Sequence, residues 1–188
     1  MMLAEDASGA PILVAFATRY GSTKEVAEAV AATLSEQGLA AEVRPAREVR
    51  SLDGYGAVVL GAPLYMGSLL KDARSFLERN QSALHETPLA VFVLGPISAA
   101  EGVEGSRGQL DKELAKMPWL EPVAEQVFVG KYDPSRLAFK HKLIAGLPAS
   151  PLHGLPARDD RDWEAIRDWA RGIGATLQAS ASEAGGVA

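Results

Sequence analysis

The sequence predicts an α/β fold in which helices cover both faces of a parallel sheet. Three observations carry that prediction. Continuous apolar runs of strand length recur along the chain, as expected of strands buried on both sides. Stretches with apolar residues at helical spacing stand between them, and such alternation is the mark of a parallel sheet. The chain has 188 residues, which at ~100–200 residues per domain suits one doubly wound domain.

The elements follow in order. Pro11 to Ala17 (PILVAFA) is a strand, and Thr18 to Thr23 supply turn and cap chemistry after it. From Lys24 the apolar positions become Val26, Val30 and Leu34, flanked by Ala27 and Ala31, which is a helical stripe that Gly38 can stop. Leu39 to Val43 is a second strand and Gly56 to Gly61 a third, the latter followed by a loop. Leu69, Leu70, Ala73, Phe76 and Leu77 mark a second helix face. Leu89 to Leu94 is a fourth strand, ended by Gly95 and Pro96. Leu110, Leu114 and Met117 indicate a further helix, Val127 to Val129 the core of a fifth strand, and Trp163, Ile166, Ala170, Ile173 and Leu177 a final amphipathic helix. The stretch from Lys131 to about Asp159, with Pro134, Pro148, Pro151 and Pro156, breaks the alternation. It is an insertion before the last helix, of a length that is usually functional or disordered. The domain is expected to span residues 10–180, with flexible termini at 1–9 and 181–188.

Composition narrows the function. With 47% hydrophobic and 23% charged residues the chain is an ordinary globular one. A net charge of −5 argues against a nucleic-acid binder, which needs a basic face. The chain has no cysteine, which excludes disulfides, thiol catalysis, iron–sulfur clusters and cysteine zinc sites. His85, His141 and His153 are far apart, so no metal site is expected; His85 precedes the fourth strand and belongs at the far edge of the sheet, exposed. The start, MMLAEDASGA, lacks the basic-then-apolar order of a signal peptide. The longest charge-free stretch, Gly54 to Leu70, is broken by Gly and Pro and is no membrane span. The expectation is a soluble, cytoplasmic protein.

Ligands of open α/β sheets bind beyond the carboxyl ends of the strands, so the loops there were read for chemistry. After strand one, Thr18-Arg19-Tyr20-Gly21-Ser22-Thr23 opens a helix. Three hydroxyls and a helix N-terminus together make a phosphate site, and Gly21 lets the backbone approach closely. The competing reading is that Ser22 or Thr23 only caps the helix. No G-x-x-x-x-G-K-[ST] or G-x-G-x-x-G motif is present, and strand two ends near Arg44-Pro45 rather than at an acid, so nucleoside triphosphates and nicotinamide dinucleotides are disfavoured. A phosphate-receiving signalling domain needs carboxylates at the strand ends, whereas Thr18 and Gly61 stand there. A hydroxyl-rich loop without lysine suits a terminal monophosphate such as that of FMN. After strand three, Gly61-Ala-Pro63-Leu64-Tyr65-Met66-Gly67 carries an aromatic that can lie along a flat ring, or else pack on the protein. After strand four, Gly95-Pro96-Ile97-Ser98 forms a third loop at the same edge.

These residues resemble the flavodoxin family. T-R-Y-G-S-T-K-E at Thr18 to Glu25 is similar to its phosphate loop, G-A-P-L-Y-M-G at Gly61 to Gly67 to its ring-facing loop, and G-P-I-S at Gly95 to Ser98 stands where its third loop would be. G-K-Y-D-P-S-R-L-A-F-K-H-K-L-I at Gly130 to Ile144 and D-W-E-A-I-R-D-W-A-R at Asp162 to Arg171 are similar to the menaquinone-dependent protoporphyrinogen oxidase branch, which carries an insertion before the last helix. The insertion here is less basic and less aromatic than in the characterised oxidases. The resemblance implies a three-layer sandwich whose five-stranded parallel sheet has the order 2-1-3-4-5, with FMN at the strand ends. Thr18, Arg19, Tyr20, Gly21, Ser22 and Thr23 would hold the phosphate. Pro63, Leu64, Tyr65, Met66 and Gly67 would border the isoalloxazine, and Gly95, Pro96, Ile97 and Ser98 would meet its pyrimidine edge by backbone groups. No protein acid, base or nucleophile is implied, because the flavin carries the chemistry.

Two activities follow from the resemblance: dehydrogenation of protoporphyrinogen with electrons passed to a quinone, or electron carriage between redox proteins with no substrate of its own. A flavodoxin-shaped partner-binding module without flavin is the third reading. Ser135 to Gly146 reads as a short helix with apolar Leu137, Phe139, Leu143, Ile144 and Leu147 and basic Lys131, Arg136, Lys140 and Lys142. It can be a lid, a surface for quinone, anionic porphyrin or the inner face of the membrane through residues 131–147, or a segment that packs its apolar side on the domain.

Overall fold

The computed structural model describes residues 9–65, 67–95, 102–138, 142–143, 145–150 and 153–185. In chain order the elements are β1 (Ile12–Phe16), α1 (Ser22–Glu36), β2 (Ala41–Pro45), β3 (Ala57–Tyr65), β4 (Ser68–Leu69), α2 (Lys71–Arg79) and α3 (Gln81–Leu84). They continue with β5 (Leu89–Leu94), α4 (Glu104–Leu114), β6 (Ala124–Phe128), β7 (Lys131–Tyr132), β8 (Arg158–Asp159) and α5 (Trp163–Gly185). The main sheet runs β2-β1-β3-β5-β6, and every neighbouring pair on that path is parallel. Counted among these five strands, that is the order 2-1-3-4-5. Register is continuous across the sheet: Ile12 lies opposite Ala41 and Ala57, and Ala90 opposite Ala124.

Alternation along the strands makes the three layers. Leu13, Ala15, Val58, Leu60, Val91 and Val93 face one side, where Ala73, Phe76 and Leu77 of α2 and Leu110 of α4 close over them. Val14, Phe16, Val59, Phe92 and Leu94 face the other, against Val26, Val30 and Leu34 of α1 and Ile166, Ile173 and Leu177 of α5. Both faces of β1 and β5 are buried, which is why these strands read as unbroken apolar runs. Helix α1 ends where Gly38 takes φ +81°. The Gly38 N–H donates to Ser35 O at 2.9 Å and the Leu39 N–H to Leu34 O at 3.1 Å, the paired bonds that stop a helix at a left-handed residue. Among the described residues no helix is long and apolar enough to cross a membrane.

The structure departs from the sequence-based reading in four places. Strand β3 does not end at Gly61 but continues to Tyr65, then folds back antiparallel as β4, with Tyr65 opposite Ser68. Pro63 tolerates this because β1 stops at the level of Gly61, so beyond it only β5 flanks β3 among the parallel strands. The insertion carries a small antiparallel ribbon, β7 with β8. Its expected helix from Ser135 is a 3₁₀ turn at Pro134–Arg136, followed by helical bonds from Lys142 N–H to Ala138 O and Gly146 N–H to Lys142 O. Residues 139–141 and 144 lie outside the described residues. Helix α5 runs on to Gly185, into the stretch expected to fray.

Candidate functional site

The loop after β1 begins with a backbone tie: the Ala17 N–H donates to Gly61 O at 2.8 Å, holding the end of β1 against β3. The Thr18 Oγ1 then accepts the Gly21 N–H at 2.9 Å, which folds residues 18–21 into a tight turn. Gly21 takes φ +91° and caps α1 with its carbonyl, which accepts the Glu25 N–H at 3.2 Å. A side chain at Gly21 would be strained in this left-handed conformation. The reading of Ser22 or Thr23 as a mere helix cap is overturned: both lie inside the first turn of α1, and no side chain caps it among the described residues. The first-turn N–H groups of Ser22, Thr23 and Lys24 therefore lack the intrahelical partners that later ones have, and they carry the positive end of the helix dipole. Thr23 is fully buried and its Oγ1 has no hydrogen-bond partner among the described residues. A buried hydroxyl left without a partner costs ~1–3 kcal/mol, so its place beside unpaired N–H groups fits a site that an anionic oxygen completes.

The second loop is a hairpin rather than an irregular segment. Tyr65 ends β3, Gly67 turns with φ +77°, and Ser68 and Leu69 return. Arg19 from the first loop lies over the Tyr65 ring, its Cζ 4.8 Å from the ring centre. Burial raises the Tyr65 phenol above its ordinary value; a hydrogen bond with Tyr20 and its charge add to this, and Arg19 pulls the other way. Loop one and the hairpin are thus in side-chain contact. Glu113 of α4, almost fully buried, anchors the returning strand: it accepts the Leu69 N–H at 3.2 Å and the Ser68 hydroxyl at 3.3 Å, and pairs with Lys116. Burial alone would push this carboxyl up, but Lys116, the Leu69 N–H and the Ser68 hydroxyl together hold it below the usual range.

The insertion docks on the start of α1 through charge. Arg161, with a side chain only 2% exposed, donates to Glu25 Oε2 at 2.6 Å, to Asp159 Oδ2 at 2.5 Å and to Ser22 O at 3.2 Å. Its guanidinium also stacks on Trp163, 4.5 Å from the ring centre. Burial works against this charge, and Asp159 and Glu25 outweigh it. Lys131 stands within 4 Å of both carboxylates. Arg136 donates to Tyr20 O at 3.3 Å and sits 3.8 Å from Glu25. Leu143 and Leu147 are exposed, so at these two positions the segment does not pack an apolar side on the domain.

Of the residues singled out in the sequence, Thr18, Arg19, Tyr20, Gly21, Ser22 and Thr23 lie together with Tyr65 at the carboxyl end of β1 and β3. Pro63 and Leu64 are strand residues, with Pro63 opposite Leu94. Gly95 follows β5 at that same edge, and its N–H donates to Phe128 O at 2.8 Å. A Cβ there would stand 2.6 Å from Ser106 and 2.9 Å from Val127, so this glycine is required by packing on α4 and β6. Met66, Pro96, Ile97 and Ser98 lie outside the described residues. His85 is exposed and meets Trp119, as its place before β5 led one to expect. A cavity of about 530 Å³ opens beside the first loop, among Phe16, Thr18, Lys24, Val43, Pro45 and Asp72. Another, of about 560 Å³, lies at the opposite end of the sheet by Pro11, Arg44 and Tyr55, away from these loops. Sequence reasoning missed Glu113 and the charges around Glu25. Glu113 could have been found, since helical spacing from Leu110 to Met117 places it on the buried face.

Comparison with known proteins agrees with this fold. Residues 13–154 match the family described as flavodoxin domain. The chain is 29% identical over 82 residues to the protoporphyrinogen IX dehydrogenase [quinone] of Escherichia coli strain K12, a match that covers 43% of this chain and 45% of that one. The match thus spans less than half the length of that relative. Among solved structures, flavodoxin 2 of Bacillus cereus superposes with a TM-score of 0.58 at 18% identity, covering 89% of this chain and 99% of that one. The rubredoxin oxygen:oxidoreductase of Desulfovibrio gigas superposes with a TM-score of 0.56 at 14% identity, covering 94% of this chain and 38% of that one. At such identities the superpositions establish the fold, and the family match over most of the sequence establishes that the chain belongs to the flavodoxin domain family.

Proposed function

We propose that this chain binds FMN at the carboxyl end of its sheet and works as an FMN-dependent oxidoreductase. The observation that carries the reading is the first turn of α1, where N–H groups without intrahelical partners, the Ser22 hydroxyl and the Thr23 hydroxyl, which has no partner among the described residues, follow a left-handed Gly21. That donor set, with Thr18 shaping the turn, suits a terminal phosphate. The bound flavin would supply the acceptance and donation of electrons. The chain's own part is placement. Tyr65, on a hairpin that Glu113 holds, offers an aromatic face beside the phosphate loop. No side chain of the site is required to move a proton.

For the reaction, the similarity to the Escherichia coli enzyme and the insertion before α5 favour dehydrogenation of a porphyrinogen with a quinone as acceptor. An electron carrier of flavodoxin type is the alternative, favoured by the superposition over nearly the whole of flavodoxin 2 of Bacillus cereus. Assay of the FMN-loaded chain with protoporphyrinogen and a menaquinone analogue separates them. Quinone-dependent turnover is expected. Fully loaded protein that does not turn over, yet exchanges electrons with redox proteins, would leave the carrier.

A further inference from the structure

We propose that Arg136, carried on the insertion between β6 and α5, completes the phosphate site from outside the family's loop and makes the insertion an electrostatic part of cofactor recognition. This rests on the FMN reading above. The Arg136 Nη1 donates to Tyr20 O at 3.3 Å, and the same atom lies 3.4 Å from where a Cβ on Gly21 would stand. The guanidinium therefore lies over the turn that opens α1. The loop's own cations are engaged elsewhere: Arg19 lies over Tyr65, and Lys24 stands 3.5 Å from Glu28 along the helix.

Arg161 and Arg136, both between β6 and α5, divide the work. Arg161 is buried and tightly bound, with Glu25 at 2.6 Å and Asp159 at 2.5 Å. It neutralises Glu25, a first-turn carboxylate that would otherwise repel a phosphate dianion, and it fixes the insertion in place. Arg136 is half exposed and loosely held, with Glu25 at 3.8 Å and Asp133 at 3.6 Å. Asp133 also accepts the Ser135 N–H at 3.0 Å and so shapes the turn that carries Arg136. A guanidinium has five N–H donors in a planar fork that matches phosphate oxygens. One donor is spent on Tyr20 O, which leaves the others for an anion held on the first turn of α1. The buried Thr23 hydroxyl, without a partner among the described residues, marks the same turn independently.

The test compares the full-length chain with Arg136→Ala and Arg136→Gln, measuring affinity for FMN and for riboflavin at low and high salt. Folding is checked by thermal unfolding. Expected is a loss of FMN affinity of roughly tenfold, from removal of a charge-assisted hydrogen bond. Riboflavin affinity should be unchanged, and the salt dependence of FMN binding should be flatter. Equal loss for both flavins would make Arg136 a structural tie of the insertion and overturn the assignment. Unchanged FMN preference in both variants would also overturn it and leave the FMN reading intact. Wild-type protein that does not prefer FMN over riboflavin would overturn the phosphate site itself.

Discussion

Thr23 concentrates the argument at the scale of a residue. Its hydroxyl is buried with no hydrogen-bond partner among the described residues, so it does not stabilise the fold and is expected to act on a ligand. Thr23→Val should leave the stability of the flavin-free protein unchanged or raise it by about 1 kcal/mol, since an unsatisfied polar group is replaced by an apolar one of like shape. The same change should weaken FMN. Urea unfolding and a fluorescence titration read the two effects. Removing both hydroxyls, Thr18→Ala with Thr23→Ala, should cost a few kcal/mol of binding at ~1.5–3 kcal/mol for each hydrogen bond to a charged group. Thr18 would act in part through the turn, because its Oγ1 holds the Gly21 N–H. The hydroxyls and Gly21 were legible in the sequence because loop chemistry after a strand is local. Arg136 was read only as part of a basic patch on the insertion, because its contact with Tyr20 joins positions 116 apart in sequence.

Among the elements, β3 decides how the site is built. Gly61 sits against Phe92, and a Cβ there would stand 2.2 Å from the Phe92 Cζ. That ring cannot retreat, being fully buried and packed edge-on against Trp169 at 5.9 Å. Gly61→Ala should therefore destabilise the protein by about 1–3 kcal/mol or more, the usual cost of overpacking. An unfolding midpoint equal to wild type would refute this packing. The sequence reading ended the third strand at Gly61 because glycine and proline punctuate Gly61 to Gly67; the close approach of Phe92, 31 positions later, is what demands the glycine. The β3–β4 hairpin depends on Glu113, whose carboxyl is held below its ordinary value. A depressed carboxyl stabilises fully above the unfolded pKa, ~4.3 for glutamate, and loses that contribution as pH falls through its folded value. Glu113→Gln should thus cost stability at neutral pH and little in strong acid, as unfolding at the two pH values would show.

For the whole molecule, the parallel sheet covered on both faces was legible because buried strands and amphipathic helices alternate in plain view, whereas the strand order came only from the resemblance to the flavodoxin family. The insertion was legible as an insertion but not in its docking, which rests on charges from three separated stretches: Glu25, Lys131 with Arg136, and Asp159 with Arg161. Arg161 holds the Asp159 carboxyl below the usual range. The docking energy from Asp159 is accordingly full above pH ~4, the ordinary aspartate value, and is lost as pH falls below it. Protection of the β7–β8 amides, taken relative to their intrinsic exchange rates, should hold from pH 5 to 7 and fall in stronger acid before the sheet opens; simultaneous opening of both would contradict this. Arg161→Met should lower that protection at neutral pH, because it removes the buried cation and leaves only Lys131, at 3.9 and 3.8 Å, between Glu25 and Asp159.

Titration of the purified chain with FMN, followed by the visible spectrum and by flavin fluorescence, tests the central claim most directly. The account predicts saturable binding of one flavin per chain, with a shifted absorption band, tighter for FMN than for riboflavin. An unshifted spectrum and unquenched fluorescence at excess FMN would contradict it and leave a flavodoxin-shaped domain that binds something else.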